Sequence, residues 1–182
     1  EKKAMGMGDG RVAWMGNFAL IGSVIGFALG GKAVDRFGTK SVFLICHFGY
    51  GAVLLGYICR GAFPFDPMYA VAAMRFAFGL VAAASSIAIS TELLALIPPT
   101  NKSLSTSVCM TLARGGGALS GVFSAWVLKL GMLQHTWQLA GMTLSSYDAL
   151  LLACGVMVII LVVTLGLVPS VISKSRWFPR AE

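Results

Sequence analysis

Five long apolar runs, separated by short polar segments, decide what this chain can fold into. The runs cover residues 12–31, 41–59, 68–97, 104–130 and 148–169. A helix of about 20 residues, rising 1.5 Å per residue, crosses a hydrocarbon core of ~30 Å. A helix also satisfies its own backbone hydrogen bonds, which that core requires. The sequence therefore predicts an all-α fold: a polytopic transmembrane helical bundle of five spans in one domain, with a loop at 131–146 and a tail at 170–182.

The composition and the charge agree with that class and exclude others. Charged residues make up 12% of the chain, about half of the ~25% usual in soluble domains. The formal net charge of +7 would suggest nucleic-acid binding in a soluble chain. Here the cations lie mainly in short loops and in the tail, where they orient spans in a bilayer. We expect the lipid bilayer as a partner and no nucleic acid.

The sequence patterns of enzymes and metal proteins are missing. The four cysteines have no C-x-x-C spacing, and His47 and His135 are far apart, which supports neither a disulfide framework nor a metal site. The run 115–117 is three glycines, but the Lys and Ser/Thr of a phosphate-binding loop do not follow it. We expect no enzymatic activity and no cofactor.

The first and last runs predict different surroundings for their helices. Gly22, Gly26 and Gly30 recur every four residues in the first run. This spacing gives one flat side, the glycine face, which lets another helix approach closely. The last run has almost no polar residue on any side, as is typical of a helix at the lipid-facing rim of a bundle.

The third and fourth runs carry polar or small residues at helical spacing. They are Arg75, Gly79, Ala82, Ser86 and Ser90 in the third run, and Ser107, Thr111, Arg114, Ala118, Gly121 and Ala125 in the fourth. With bulky apolar residues on the opposite side, such stripes indicate helices that face the interior of the bundle.

Arg114 is the strongest candidate for a substrate cavity. It lies about ten residues into its span, ~15 Å deep in a ~30 Å core. A charge there costs at least ~2.5–3.5 kcal/mol on insertion scales and is normally functional or paired. It could bind an anionic substrate, pair with a proton-carrying carboxylate, or form a structural ion pair with a helix outside this chain. The further predicted cavity residues are Thr111, Ser86, Asn17 (on depth alone) and Arg75, which could instead snorkel to the interface.

The polar segment Gly30–Lys40 joins the first two spans and contains three cations and one carboxylate. Its shortness predicts a tight turn. Its pattern, G-x-x-x-D-R-x-G-x-K, resembles the hairpin-loop signature of the major facilitator superfamily, a large class of secondary transporters. The segment from Arg75 to Gly79 is similar to the arginine motif of helix four in that family.

The resemblance implies a fold and a function. The five spans would be helices two to six or helices eight to twelve of the family. The short tail favours eight to twelve, which is a C-terminal half without its first helix. The arginine motif favours the other alternative, because it is better known in the first half. Since no start methionine precedes Glu1, we expect a part of a longer protein, whose missing helices or partner subunit complete it.

The expected function is secondary active transport of a small, anionic solute by alternating access. The alternative is a non-transporting, facilitator-like membrane protein that acts as a receptor, an assembly factor or a subunit of a complex.

The resemblance also implies a gating role for the loop. Asp35 would dock near the cytoplasmic end of the fourth span, and Arg36 would form a charge relay with Glu92 that holds the transporter closed to the cytoplasm. Gly31 and Gly38 would allow the tight backbone. The alternative is that these charges only set the topology.

The distribution of cations predicts the orientation. We expect a bacterial inner membrane, with the signature loop and the C-terminus in the cytoplasm. That side then carries Lys32, Arg36, Lys40, Lys102 and the cations of the tail, in agreement with the excess of positive charge found in cytoplasmic loops.

Overall fold

The computed structural model describes residues 6, 8–61, 66–97, 102–131, 136–139 and 142–167. The tail at 170–182 and His135 lie outside the described residues. The described part of the chain contains five α-helices and one short hairpin. The elements are α1 (Asp9–Phe37), α2 (Thr39–Ile58) with a 3₁₀ turn at Cys59–Gly61, α3 (Pro67–Leu96), α4 (Lys102–Lys129), β1 (Thr136–Leu139), β2 (Met142–Ser145) and α5 (Ser146–Leu167). The predicted all-α helical bundle is confirmed.

Four of the helices are long and apolar enough to cross a membrane, namely α1, α2, α3 and α5 over Ser146–Thr164. Among the described helices, α4 has the length, 28 residues, but not the apolar composition. It carries Arg114, three consecutive glycines and several Ser and Thr hydroxyl groups. The helix predicted over 104–130 is present, while its passage through the membrane stays a prediction.

The first helix does not end where the polar segment begins. It continues to Phe37, and Gly38 alone separates it from α2. Gly38 has φ 84° and ψ 158°, a conformation that is strained for any residue with a Cβ atom. The prediction of a turn over all of Gly30–Lys40 is therefore wrong. Gly31 lies in regular helix, where an added Cβ would meet open space, so it is not needed for a tight backbone.

The glycine face of α1 packs directly on α3. Gly22, Gly26 and Gly30 are buried, and a Cβ added at Gly26 would lie 2.9 Å from the Cα atom of Leu80 and from the Cβ atom of Ala83. Real Cβ atoms essentially never come so close to backbone atoms. The prediction that this face meets another helix is confirmed.

Ser23 and Gly79 complete the α1–α3 contact. A Cβ added at Gly79 would overlap the backbone of Ala19, so glycine is required from the α3 side as well. The Ser23 hydroxyl donates to the carbonyl oxygen of Ala19 at 2.8 Å and lies 3.3 Å from the carbonyl oxygen of Gly79. The two backbones thus meet without large side chains between them, a geometry common in membrane bundles.

A second helix contact places α5 on α2. A Cβ added at Gly51 would lie 3.1 Å from the Cγ1 atom of Ile159, and Gly155 faces Leu54 and Leu55. The outer side of α5 exposes large apolar side chains, namely Val156, Met157, Ile160, Leu161 and Val163. That outer side has the composition expected of a lipid-facing rim.

The segment predicted as a loop contains a small hairpin. β1 and β2 pair antiparallel, with Trp137 opposite Leu144. Leu144 is buried, at 2% exposure, and the indole Nε1 of Trp137 donates to the carbonyl oxygen of Ser145 at 3.4 Å. Apolar and polar residues alternate in both strands, which is the period of a strand with one covered face. The loop prediction is wrong for these residues.

Gly26→Ala should lower the free energy of unfolding by about 1–3 kcal/mol, because the added methyl group overlaps backbone atoms of α3. The thermal unfolding midpoint of the purified protein in detergent measures this loss. Gly31→Ala is the matched control, since its methyl group enters open space on the same helix. It should leave the midpoint unchanged or raise it. Equal losses in the two variants would contradict the α1–α3 contact.

Candidate functional site

Polar residues in the first half of α4 line an open groove of about 580 Å³ on one side of the helix. Its lining residues are Lys102, Ser103, Thr106, Ser107, Met110, Thr111 and Arg114. They recur at intervals of three and four, so they lie above one another on a helix surface. The predicted alignment of Ser107, Thr111 and Arg114 on one side is therefore present.

The lining groups of this α4 groove suit an anion. Lys102 and Arg114 contribute two positive charges, and four Ser and Thr hydroxyl groups can donate hydrogen bonds. None of the described lining residues has a carboxylate. A guanidinium group can bind a carboxylate through two parallel N–H···O bonds. None of the described side chains of α4 is buried, so the groove is open along its length.

The other predicted cavity residues lie elsewhere. Asn17 is exposed on α1, and Arg75 is half-buried on α3. Ser86 is exposed on α3, and its hydroxyl group donates to the carbonyl oxygen of Ala83 at 2.8 Å. The structure brings Thr111 together with Arg114 and does not place Asn17, Arg75 or Ser86 in the lining of the α4 groove. Their contact with a solute stays a prediction.

A hydrogen bond joins the signature segment to the last turns of α3. The Oγ1 atom of Thr39 donates to the Oε2 atom of Glu92. Arg36 is exposed, with its guanidinium carbon 5.3 Å from the centre of the Phe37 ring. Within the described part of the chain, Glu92 thus bonds Thr39 and not Arg36.

The remaining loop charges differ in exposure. Asp35 is exposed, and Lys40 is half-buried. The roles of Asp35, Arg36, Lys40 and Glu92 in gating stay predictions.

An ion pair that sequence reasoning missed lies at the other end of α2. The Nη1 atom of Arg60 bonds the Oδ1 atom of Asp148, and Nη2 donates to Oδ2 at 3.1 Å. The side chains of Arg60 and Asp148 are only 17% and 2% exposed. Nη1 also donates to the carbonyl oxygen of Tyr57 at 2.7 Å. The pair joins the end of α2 to the start of α5.

Asp148 also caps α5. Its Oδ2 atom accepts hydrogen bonds from the backbone N–H and the hydroxyl group of Ser145, at 2.8 and 2.9 Å. A carboxylate three residues after a serine is the pattern of a helix N-terminus, so the sequence did contain a signal for this carboxylate. Its partner, Arg60, lies 88 residues earlier in the chain, and no sequence pattern connects the two residues.

The fold is that of an integral membrane protein, with four helices that are long and apolar enough to cross a membrane and close glycine contacts between them. The chain is similar to a gallate transporter from Pseudomonas putida, with 32% identity over 119 residues. The matched region is 65% of this chain and 24% of the relative, so it spans about a quarter of that protein. No family model matches the chain, and no solved structure matches it significantly.

Asp148→Ala should lower the free energy of unfolding by about 3–5 kcal/mol, because it leaves the half-buried Arg60 without its counter-charge and removes the cap of α5. Thermal or denaturant unfolding in detergent measures the loss. The double variant Arg60→Met/Asp148→Leu replaces both charges by apolar groups and should recover most of it. A double variant as unstable as Asp148→Ala would show that the ion pair is not the cause.

Proposed function

We propose that this chain is part of a secondary active transporter of the major facilitator type, which moves a small anionic solute by alternating access. The observation that carries the proposal is the α4 groove, whose described lining has two cations and no carboxylate, in a chain similar to a gallate transporter. The signature pattern from Gly31 to Lys40 supports the family. The proposed location is a bacterial inner membrane, with that segment in the cytoplasm.

The groove and the relative together suggest a class of solute. Gallate is an aromatic carboxylate with phenolic hydroxyl groups, and the relative is named as its transporter. Arg114 offers a forked donor for a carboxylate. Hydroxyl groups such as that of Thr111 can exchange hydrogen bonds with phenols, and the Met110 sulfur can contact a ring edge. We infer a hydroxylated aromatic carboxylate as the solute.

The open shape of the groove fits a site that lies between two helical bundles. In alternating access, the substrate site forms near the midplane at the interface of two repeats. A groove lined by one helix supplies one wall of such a site. The facing wall would come from helices outside this chain, and it would also remove Arg114 from lipid, where an isolated charge is costly.

Arg114→Ala should reduce uptake by at least about tenfold, since a hydrogen bond to a charged group contributes ~1.5–3 kcal/mol. The measurement is uptake of radiolabelled gallate by cells that express the full-length protein containing this chain, corrected for the amount of protein in the membrane. Arg114→Lys should recover only part of the uptake, because an ammonium group cannot reproduce the bidentate fork.

Lys129→Ala is the matched control, because Lys129 is a cation on the same helix outside the groove lining. It should leave uptake unchanged. If Arg114→Ala transports gallate at the original rate, Arg114 is not the anion site. Gallate binding without uptake in the unsubstituted protein would instead indicate the non-transporting alternative.

A further inference from the structure

The α4 groove starts at the first residue of its helix and has a cation at each end. Lys102 begins α4, and Arg114 is the last residue of the groove lining. A separation of twelve residues between Lys102 and Arg114 corresponds to ~18 Å along a helix that rises 1.5 Å per residue. Gallate is a single benzene ring with one carboxylate group, so it is much shorter than this span. A gallate molecule whose carboxylate binds Arg114 therefore cannot reach Lys102.

Two rows of lining residues connect the two cations, and each row has a spacing of four residues. They are Lys102, Thr106, Met110 and Arg114 in one row, and Ser103, Ser107 and Thr111 in the other. Residues at this spacing lie ~6 Å apart along the helix axis, so every turn of the groove presents at least one hydroxyl group. Hydroxyl groups can donate hydrogen bonds to an anion that has left water. The groove thus offers an anion hydrogen-bond donors along its whole length.

The cations at the two ends of the groove have no counter-ion in the described part of the chain. Neither Lys102 nor Arg114 forms a salt bridge there, and the salt bridge that is present joins Arg60 to Asp148. Lys102 and Arg114 are both exposed, and none of the described lining residues has a carboxylate. Each end of the groove can therefore attract an anion by itself.

The two cations differ in their distance from water. Arg114 lies about ten residues into its span, near the midplane of a ~30 Å core. Lys102 lies at the end of the bundle where α3 stops and α4 begins, next to the aqueous phase. Water and dissolved ions screen an exposed charge, and exposed ion pairs are weak. Lys102 therefore suits a weak contact with an anion, and Arg114 suits a tighter one.

We propose that Lys102 forms a second binding subsite for the carboxylate of the solute, at the mouth of the α4 groove and separate from the subsite at Arg114. The solute passes between Arg114 and the membrane surface in two steps. It moves along the hydroxyl groups, and Lys102 is its contact at the surface. This inference rests on the proposed function, because it divides the path of an anionic aromatic solute into two subsites.

Equilibrium dialysis with radiolabelled gallate tests for the second subsite. The experiment uses the purified full-length protein that contains this chain, in detergent, and counts the gallate molecules bound per protein as the gallate concentration rises. We expect two bound molecules. The second should bind about tenfold more weakly than the first, because an exposed ion pair contributes less than a charged hydrogen bond that is shielded from water. Added salt should weaken the second site further.

Lys102→Gln should abolish the weaker site and change the affinity of the tighter site by less than about twofold, since the two positions are too far apart to couple strongly. Arg114→Gln should abolish the tighter site and leave the weaker one. Lys102→Arg keeps the positive charge and should retain both sites. Lys129→Gln is the matched control, because Lys129 is a cation of α4 outside the groove lining. It should also retain both sites.

Three results would overturn the proposal: a single gallate molecule bound to the unsubstituted protein, a weaker site that persists in Lys102→Gln, or a weaker site that is lost equally in Lys129→Gln. Each of them would leave the proposed function standing, provided that uptake and the tighter site remain. A full-length protein that neither binds gallate nor takes it up would instead refute the proposed function, and the subsite at Lys102 with it.

Discussion

The direct contact between the backbones of α1 and α3 is the constraint on which the rest of this fold depends. In a bilayer the lipid chains are as apolar as leucine, so helices associate through close packing and polar contacts. The glycine face of α1 and Gly79 of α3 remove the side chains that would separate the two helices. The opposite side of α1 is apolar and exposed, with Leu20, Val24 and Phe27.

The other elements attach to this α1–α3 pair in a defined order. α2 packs on α3 through an apolar cluster that includes Val42 of α2 and Ala88 of α3. α5 packs on α2 through Gly51 and Gly155. Polar contacts close both ends of α2, with Thr39–Glu92 at its start and Arg60–Asp148 at its end. α4 differs from these helices in its packing, because its described side chains are all at least partly exposed. Its groove is therefore open to a further helix or to a solute.

Sequence patterns predicted what depends on local periodicity. The apolar runs predicted the helices. The spacing of Gly22, Gly26 and Gly30 predicted the packed side of α1, and the alignment of Thr111 with Arg114 predicted the polar side of α4. The position of the turn was harder to predict, because the segment Gly30–Lys40 is polar in composition and yet helical as far as Phe37. Contacts between distant segments, such as Arg60 with Asp148, leave no periodic signal. They depend on which helices become neighbours.

The most direct test of the central contact is disulfide cross-linking between α1 and α3 in native membranes. A Cβ at Gly30 would lie 3.0 Å from the Cβ of Ala84, which is shorter than the ~3.8 Å typical of a disulfide. A separation of the two helices by about 1 Å, which the added side chain itself causes, brings the pair to disulfide distance. The pair Gly30→Cys/Ala84→Cys should therefore cross-link on mild oxidation in an otherwise cysteine-free protein. The pair Gly49→Cys/Val81→Cys, with Cβ atoms 3.8 Å apart, calibrates a complete reaction.

Gly31→Cys/Ala84→Cys is the matched negative pair, since a Cβ added at Gly31 would enter open space and meet no atom of α3 within 4 Å. The account predicts rapid cross-linking through Gly30 and little through Gly31. Equal cross-linking of the two pairs, or none through Gly30 while the Gly49 pair reacts fully, would contradict it.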